Sequence, residues 1–184
     1  MTFSTDTLRT LINDQNGLAS NNRFRVIFPD ISGTPKPGGG TAKVDADSPR
    51  ALNSLCTSAR FPGKNFNLLE RGIGMEQLKI VNGFTFTEVA FTFYLTNNYS
   101  ARKYFQEWTE TIASPTPPYS AGFHNNYAKS ISVTQLDKLG EPVYVAEMTK
   151  AYPTSISEIE LNNQAQSAAL EMTVSMTFAN FLIK

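Results

Sequence analysis

The chain has 184 residues, of which 16 are basic and 16 acidic, so its formal net charge is zero. That length can bury a substantial core and leaves room for an arm or an insertion. Zero net charge lacks the cationic excess that dominates nucleic-acid affinity, so we expect no DNA-binding surface.

An amino-terminal arm, residues 1–20, contains the first predicted element. Leu8, Leu11 and Ile12 share one face of a short helix, and Asn16-Gly17 provides its stop. Such a short helix is marginal in isolation. It therefore needs a surface to lie on, either its own core or a neighbouring subunit.

A β domain is predicted over residues 21–184. Its first strand, Arg23–Phe28, turns its apolar side chains inward and its arginines outward. Residues 30–50 hold too little apolar surface to pack and are rich in Gly, Pro and Asp, which predicts a flexible, solvated insertion. A second strand is predicted at about residues 52–60.

Residues 63–83 form a second long connection that is apolar but shows no continuous helical or strand period. Its large apolar side chains are Phe66, Leu68, Leu69, Ile73, Met75, Leu78 and Ile80. Gly72 and Gly74 permit the backbone conformations that an irregular loop needs. Because an apolar loop requires a surface to rest on, we expect this one to contact a partner if it does not cover its own domain.

The segment from Phe84 to Pro118 carries the clearest pattern of the chain. A strand over Phe84–Thr96 is followed by an amphipathic helix that prolines 115, 117 and 118 terminate. The strand's inward residues are Val89, Phe91, Phe93 and Leu95, and the helix's apolar positions are Ala101, Tyr104, Phe105, Trp108 and Ile112. Burial of the four strand side chains contributes roughly 6–12 kcal/mol before conformational entropy is subtracted.

Three further strands are predicted at about 129–136, 143–151 and 168–181, with Leu139-Gly140 as the turn of a hairpin. The predicted fold class is mainly β: an antiparallel β sandwich or barrel with one flanking α-helix, plus the short amino-terminal helical arm.

The residue types that carry catalysis or bind metals are sparse and scattered. Cys56 lies among small and apolar residues, which favours a buried structural thiol over a nucleophile. His124 lies in a polar loop without a nucleophile or acid beside it, and one Cys with one His cannot form a zinc site. The glycines at 33–41 and 72–74 lack the phosphate-binding and dinucleotide-binding patterns. We therefore predict no enzyme, no metal and no cofactor, and the absence of a secretory signal or membrane span predicts a soluble chain without a membrane anchor.

Several segments, in order, resemble the tail tube protein family of contractile-tailed bacteriophages and related injection machines. They are Asn22–Phe28, Cys56–Pro62 with the loop that follows, the strand-to-helix unit through Asn97–Trp108, and Ala151–Leu161 with the final strand. The resemblance covers about residues 20–182.

This resemblance implies a β sandwich whose protomers form a hexameric ring, with rings stacked into a tube inside a tail sheath above a baseplate. Phage genomic DNA would pass through the channel without specific binding, and the protein would be a virion component of the tail, assembled in the host cytoplasm. The long loop 63–83 would reach the adjacent ring. Its expected contact residues are Asn65, Phe66, Leu68, Glu70, Arg71, Met75, Leu78 and Lys79.

Alternatives remain open at this point. The arm at 1–20 and the insertion at 30–50 are additions to a plain tube subunit, so a baseplate hub or tube-initiator ring protein of the same fold is the strongest rival. A carbohydrate-binding sandwich should display exposed aromatic residues, whereas the single Trp lies on the apolar helix face. A small hydrolase would need a reactive constellation, and the sequence shows none.

Overall fold

The computed structural model describes residues 4–14, 17–45, 47–73, 76–162 and 169–184. The helices are α1 Thr5–Asp14, α2 Ser48–Leu55, α3 Ser100–Ile112 and α4 His124–Tyr127. The strands are β1 Phe24–Ile27, β2 Cys56–Ala59, β3 Lys64–Ile73, β4 Glu76–Phe86, β5 Val89–Tyr94, β6 Lys129–Leu136, β7 Pro142–Ile156, β8 Glu171–Thr177 and β9 Asn180–Ile183.

Antiparallel pairing joins seven of these strands in the order β1-β6-β7-β8-β5-β2, with β9 also paired to β7. The long strand β7 pairs with β6 and β9 in its first part and with β8 in its last part. Between the two parts, Lys150 has a positive φ of 54°. The remaining pair, β3 and β4, forms a separate two-stranded sheet. The predicted mainly β, antiparallel fold class is confirmed.

Aromatic side chains dominate the core between the seven-stranded sheet and α3. The ring of Phe28 lies 5.4 Å from that of Phe91, 5.6 Å from that of Phe93 and 5.7 Å from that of Phe105. These edge-to-face and tilted geometries are the favoured ones for aromatic pairs. The period-two pattern of β5 is confirmed, because Val89, Phe91 and Phe93 are fully buried.

Helix α3 packs the apolar face that the sequence predicts. Ala101, Tyr104, Phe105 and Trp108 are buried on it. Two of these side chains also satisfy backbone carbonyls: the Tyr104 hydroxyl donates to the Pro29 oxygen at 2.6 Å, and the Trp108 indole nitrogen donates to the Tyr127 oxygen at 2.8 Å. These two hydrogen bonds therefore hold Pro29 and the end of helix α4 against α3, and neither buried donor is left unpaired.

The prediction that residues 30–50 pack against nothing is wrong. Ile31 and Ala42 are buried, and the N–H of Ala42 donates to the Thr34 oxygen at 2.8 Å. Pro35 and Thr41 form a β bridge. A compact lobe at 31–45 results, because turn residues bring two apolar side chains that are far apart in sequence onto the core.

Three predicted strands also have bounds that differ from the prediction. Residues 48–55 form helix α2 instead of the start of a strand, with Pro at its first turn, where the missing N–H costs nothing. The predicted strand Phe84–Thr96 is two strands, because β4 ends at Phe86 and β5 begins at Val89. The predicted final strand likewise divides into β8 and β9, and its start at 168 lies outside the described residues.

An ion cluster fastens the lobe 31–45 to α3. The Lys36 amine lies 2.9 Å from a Glu107 carboxylate oxygen and 2.7 Å from one of Glu110. Desolvation lowers the pKa of Lys36, but hydrogen bonds and charges from Glu110 and Glu107 outweigh it and raise that pKa above its ordinary value. Desolvation raises the pKa of Glu107, but the Lys36 hydrogen bond, the backbone N–H of Lys43 and both lysine charges lower it overall.

Replacing Lys36 by Met should destabilise the subunit by about 1–2 kcal/mol at pH 7, because two carboxylates then face each other without the amine that bridges them. A carboxyl whose folded pKa is lowered contributes stability above its unfolded pKa and loses it as the pH falls through the folded pKa. The difference in the free energy of unfolding between variant and wild type should therefore shrink below about pH 4. Urea denaturation at several pH values measures it. Lys103→Met, an exposed lysine of α3 outside the described ion pairs, is the control. If the two proteins differ as much in their free energy of unfolding at pH 3 as at pH 7, the ion pairs of Lys36 are not the cause of the difference.

Candidate functional site

The segment predicted as an irregular loop is a regular β hairpin formed by β3 and β4. Its strands pair from Lys64 opposite Phe86 to Ile73 opposite Glu76. The register shifts by one residue at Asn67/Leu68. This bulge breaks the period-two alternation, so the sequence showed apolar residues without a continuous period.

The hairpin is fixed to the body at its base. The ring of Phe86 lies 5.3 Å from that of Phe178 and 5.3 Å from that of Phe181. Phe178 directly follows β8, and Phe181 belongs to β9. Towards the tip the hairpin stands in solvent. A two-stranded hairpin is at best marginally stable in water, so this one gains its anchorage from the aromatic base.

Both faces of the hairpin carry exposed apolar side chains. Cross-strand pairing places Phe66, Leu68, Val81 and Phe84 on one face, which we call the first face, and Leu69, Leu78 and Ile80 on the other, the second face. These seven side chains are between 40% and 57% exposed. A sheet that covers a core buries one face, so a hairpin with two apolar faces and neither one buried is a candidate contact surface.

Charged residues of the first face pair within the hairpin itself. The Lys64 amine lies 5.3 Å from the ring centre of Phe66 and 4.2 Å from that of Phe84. Lys79 and Glu70 approach to 3.3 Å, and both side chains are more than half exposed. Exposed pairs of this kind add little stability, about 0–1 kcal/mol each. Their main effect is to order the side chains of the first face.

Most of the predicted contact residues lie on this hairpin. Asn65, Phe66, Leu68, Glu70, Arg71, Leu78 and Lys79 are all exposed there, whereas Met75 lies outside the described residues. Their role in contacts between copies stays a prediction. Sequence reasoning left out four further exposed apolar residues, Leu69, Ile80, Val81 and Phe84. Recognition of the cross-strand pairing would have identified them.

The edges of the main sheet differ in how they are covered. At β1, the Asn53 side chain of α2 accepts the N–H of Val26 at 2.9 Å, so α2 closes part of that edge. At β9, Leu182 and Ile183 are each more than half exposed. Exposed edge strands are templates for pairing with another chain.

The described part of the chain offers little reactive chemistry. Desolvation by burial raises the pKa of the Cys56 thiol to about 12, which keeps it protonated at neutral pH. His124 packs against the rings of Tyr127 and Tyr152 at 5.3 and 5.8 Å. Among the described residues, no group of three or more His, Cys, Asp or Glu side chains could hold a metal ion, and no helix is long and apolar enough to cross a membrane.

Solved structures with a similar fold include chains of an extracellular contractile injection system and of the anti-feeding prophage. A chain of the sheath–tube complex of the PVC extracellular contractile injection system in its extended state has a TM-score of 0.62 and 12% identity, with 100% of this chain and 99% of that chain covered. Chains of the anti-feeding prophage tube-terminating cap and baseplate have TM-scores of 0.61 and 0.60 and identities of 14% and 11%. Each of these two alignments covers 91% of this chain. The covered share is 91% of the cap chain and 95% of the baseplate chain. At these identities the likeness concerns the fold.

No curated protein matches the chain in sequence. The phage tail tube protein family model matches residues 19–184, which leaves out residues 1–18, nearly all of the amino-terminal arm. The match includes β1, the hairpin, the β5–α3 unit and the final strands, all of which the sequence resemblance rests on. This chain therefore belongs to the phage tail tube protein family.

Proposed function

We propose that six copies of this chain close into a ring and that such rings stack into a tail tube through which phage DNA passes. The observation that carries the proposal is the hairpin of β3 and β4, with exposed apolar side chains on both faces, in a member of the tail tube family. A monomer gains nothing from this arrangement. Neighbouring copies would remove both faces from water.

Burial of these faces would supply substantial association energy. Large apolar side chains contribute about 1.5–3 kcal/mol each when they pass from full exposure to full burial. The seven hairpin side chains are already about half covered, so about half of that contribution is still available per residue. Part of it offsets the loss of translational and rotational freedom on association.

Ring closure is supported by the uncovered sheet edge at β9. Heterologous contacts repeated by rotation form a closed ring and leave no strand edge free. The partial closure of β1 by Asn53 restricts which edge a neighbour can use. Identical copies in a ring would then meet through unlike edges.

The charge balance supports a channel that does not hold DNA. Each phosphate neutralised by a cation adds affinity that would slow passage. The chain has 16 basic and 16 acidic residues, and several of its lysines are paired with carboxylates in the described structure. A weakly adhesive wall is therefore compatible with this composition.

Tail sheath and baseplate proteins are the proposed partners outside the tube, and the proposed location is the virion tail, after assembly in the host cytoplasm. Within this proposal the protein is structural and performs no catalysis. The protonated Cys56 thiol and the packing of His124 between tyrosines agree with that role.

A second candidate is a baseplate hub or tube-initiator ring of the same tail. It is favoured by α1, whose described side chains are exposed or half-buried and which lies entirely outside the residues matched by the family model. An additional arm would suit a ring that binds other proteins of the tail end.

Negative-stain electron microscopy of the purified protein tests the proposal. Long tubes of stacked rings with sixfold end views are expected for the tube subunit. Single rings that do not extend would favour the hub or initiator. Protein that stays monomeric at high concentration and in the presence of tail assembly partners would contradict both.

A further inference from the structure

We propose that the second face of the hairpin binds a groove at the opposite end of a second copy of this chain. The groove lies between α2 and the turn from β5 to α3, and it has a volume of about 430 Å³. The inference rests on the proposed function, because it requires copies stacked end to end. It adds the site that receives the hairpin.

The hairpin and the groove lie at opposite ends of the same strand pair. Strands β2 and β5 are antiparallel, with Cys56 opposite Phe93. Leu55, just before β2, and Thr96, just after β5, both line the groove. The other ends of β2 and β5 lead into β3 and out of β4. A subunit therefore presents the hairpin at one end and the groove at the other.

The groove combines a small apolar floor with an acidic rim. Ala51 and Leu55 of α2 provide half-buried apolar surface, and the exposed carboxyl side chains of Asp45 and Asp47 stand beside them. Neither carboxylate takes part in an ion pair or side-chain hydrogen bond among the described residues. Asp45 also lines the adjoining cavity that contains two lysines, so Asp47 is the carboxylate better placed to meet a cation from outside.

The second face of the hairpin has the complementary composition. Leu69, Leu78 and Ile80 are exposed on it, and Arg71, opposite Leu78, is its cation. In the described structure Arg71 has no carboxylate partner, whereas Lys79 of the first face is paired with Glu70. Apolar side chains with one unpaired guanidinium fit an apolar floor with an unpaired carboxylate.

The hairpin does not fill the groove of its own chain. None of the described hairpin residues lines that groove, and the large apolar side chains described on the hairpin's two faces are exposed. A contact between unlike surfaces at opposite ends is heterologous and can be repeated without limit along one direction. The geometry thus explains how a stack grows by addition of copies in a single orientation.

Charge reversal tests the contact directly. Arg71→Asp and Asp47→Arg should each reduce tube formation at least tenfold, measured by pelleting and negative-stain microscopy, and the double variant should recover most of it. The matched control is Lys79→Asp, a reversal on the first face, which Asp47→Arg should not rescue. Single variants that assemble normally, or a double variant no better than the singles, would overturn the inference.

Cysteine cross-linking provides the second measurement. In a Cys56→Ser background, Leu78→Cys combined with Ala51→Cys should give disulfide-linked ladders of several chains when assembled tubes are oxidised. Leu68→Cys with Ala51→Cys places the thiol on the other face of the hairpin and should give none. Equal ladders for both pairs, or none for either, would contradict the assignment. Wild-type protein that forms no tubes would contradict the proposed function itself, whereas normal wild-type tubes without rescue or cross-links would contradict only the groove.

Discussion

Replacing Leu68 and Leu78 together by Asp is expected to abolish tube formation and leave the subunit folded. The two side chains lie on opposite faces of the hairpin and are 56% and 52% exposed, so the monomer has little packing to lose. In a tube both carboxylates would be buried against a neighbour without a partner, which is costly. Microscopy should show no tubes, and the midpoint of thermal unfolding should fall by less than about 4 °C.

The control for this variant is Leu139→Asp. Leu139 lies in the turn between β6 and β7 and is 86% exposed, so it tests an apolar-to-acidic change away from the hairpin. We expect that variant to form normal tubes. Normal tubes from the double hairpin variant would show that the hairpin faces are not buried in the assembly.

Trp108→Ala is expected to cause the largest loss of subunit stability, about 3–5 kcal/mol. Trp108 is fully buried, its ring stacks near Phe105, and its indole nitrogen donates to the Tyr127 oxygen. Truncation leaves a cavity and an unpaired carbonyl, and both effects destabilise the fold. The free energy of unfolding from urea denaturation measures the loss.

Tyr119→Ala provides the matched comparison for this substitution. Tyr119 is an aromatic residue just beyond α3 that is 79% exposed, so its removal should change the free energy of unfolding by less than about 0.5 kcal/mol. A similar loss for both variants would indicate that α3 does not anchor the core.

The parts of the fold that sequence reasoning predicted well are those whose pattern is local. Phe91 and Phe93 alternate on one strand, and Tyr104 and Trp108 repeat along one helix, so a few neighbouring residues define each buried face. Helix α1 also follows from a local pattern, and the positive φ of Gly17 matches its predicted stop, although none of its residues is buried.

The parts that it missed depend on partners far apart in sequence. The hairpin could not be recognised from alternation, because the bulge near Leu68 shifts one strand against the other. The sequence predicts a solvated segment where the lobe 31–45 lies, because Ile31 and Ala42 reach the core only after a turn brings them together. For the candidate site, the residues predicted as contacts lie, apart from Met75, among the exposed residues of the hairpin, and their role in contacts stays a prediction. The assignment of these residues to the two faces of the hairpin required the cross-strand register of β3 and β4.

Strand β7 has a consequence for how the subunit would behave under load. Its 15 residues pair first with β6 and β9 and then with β8, so one continuous backbone joins the two parts of the seven-stranded sheet. These parts cannot separate without breaking hydrogen bonds along that shared strand. A force applied to one part would thus be transmitted through β7 to the other.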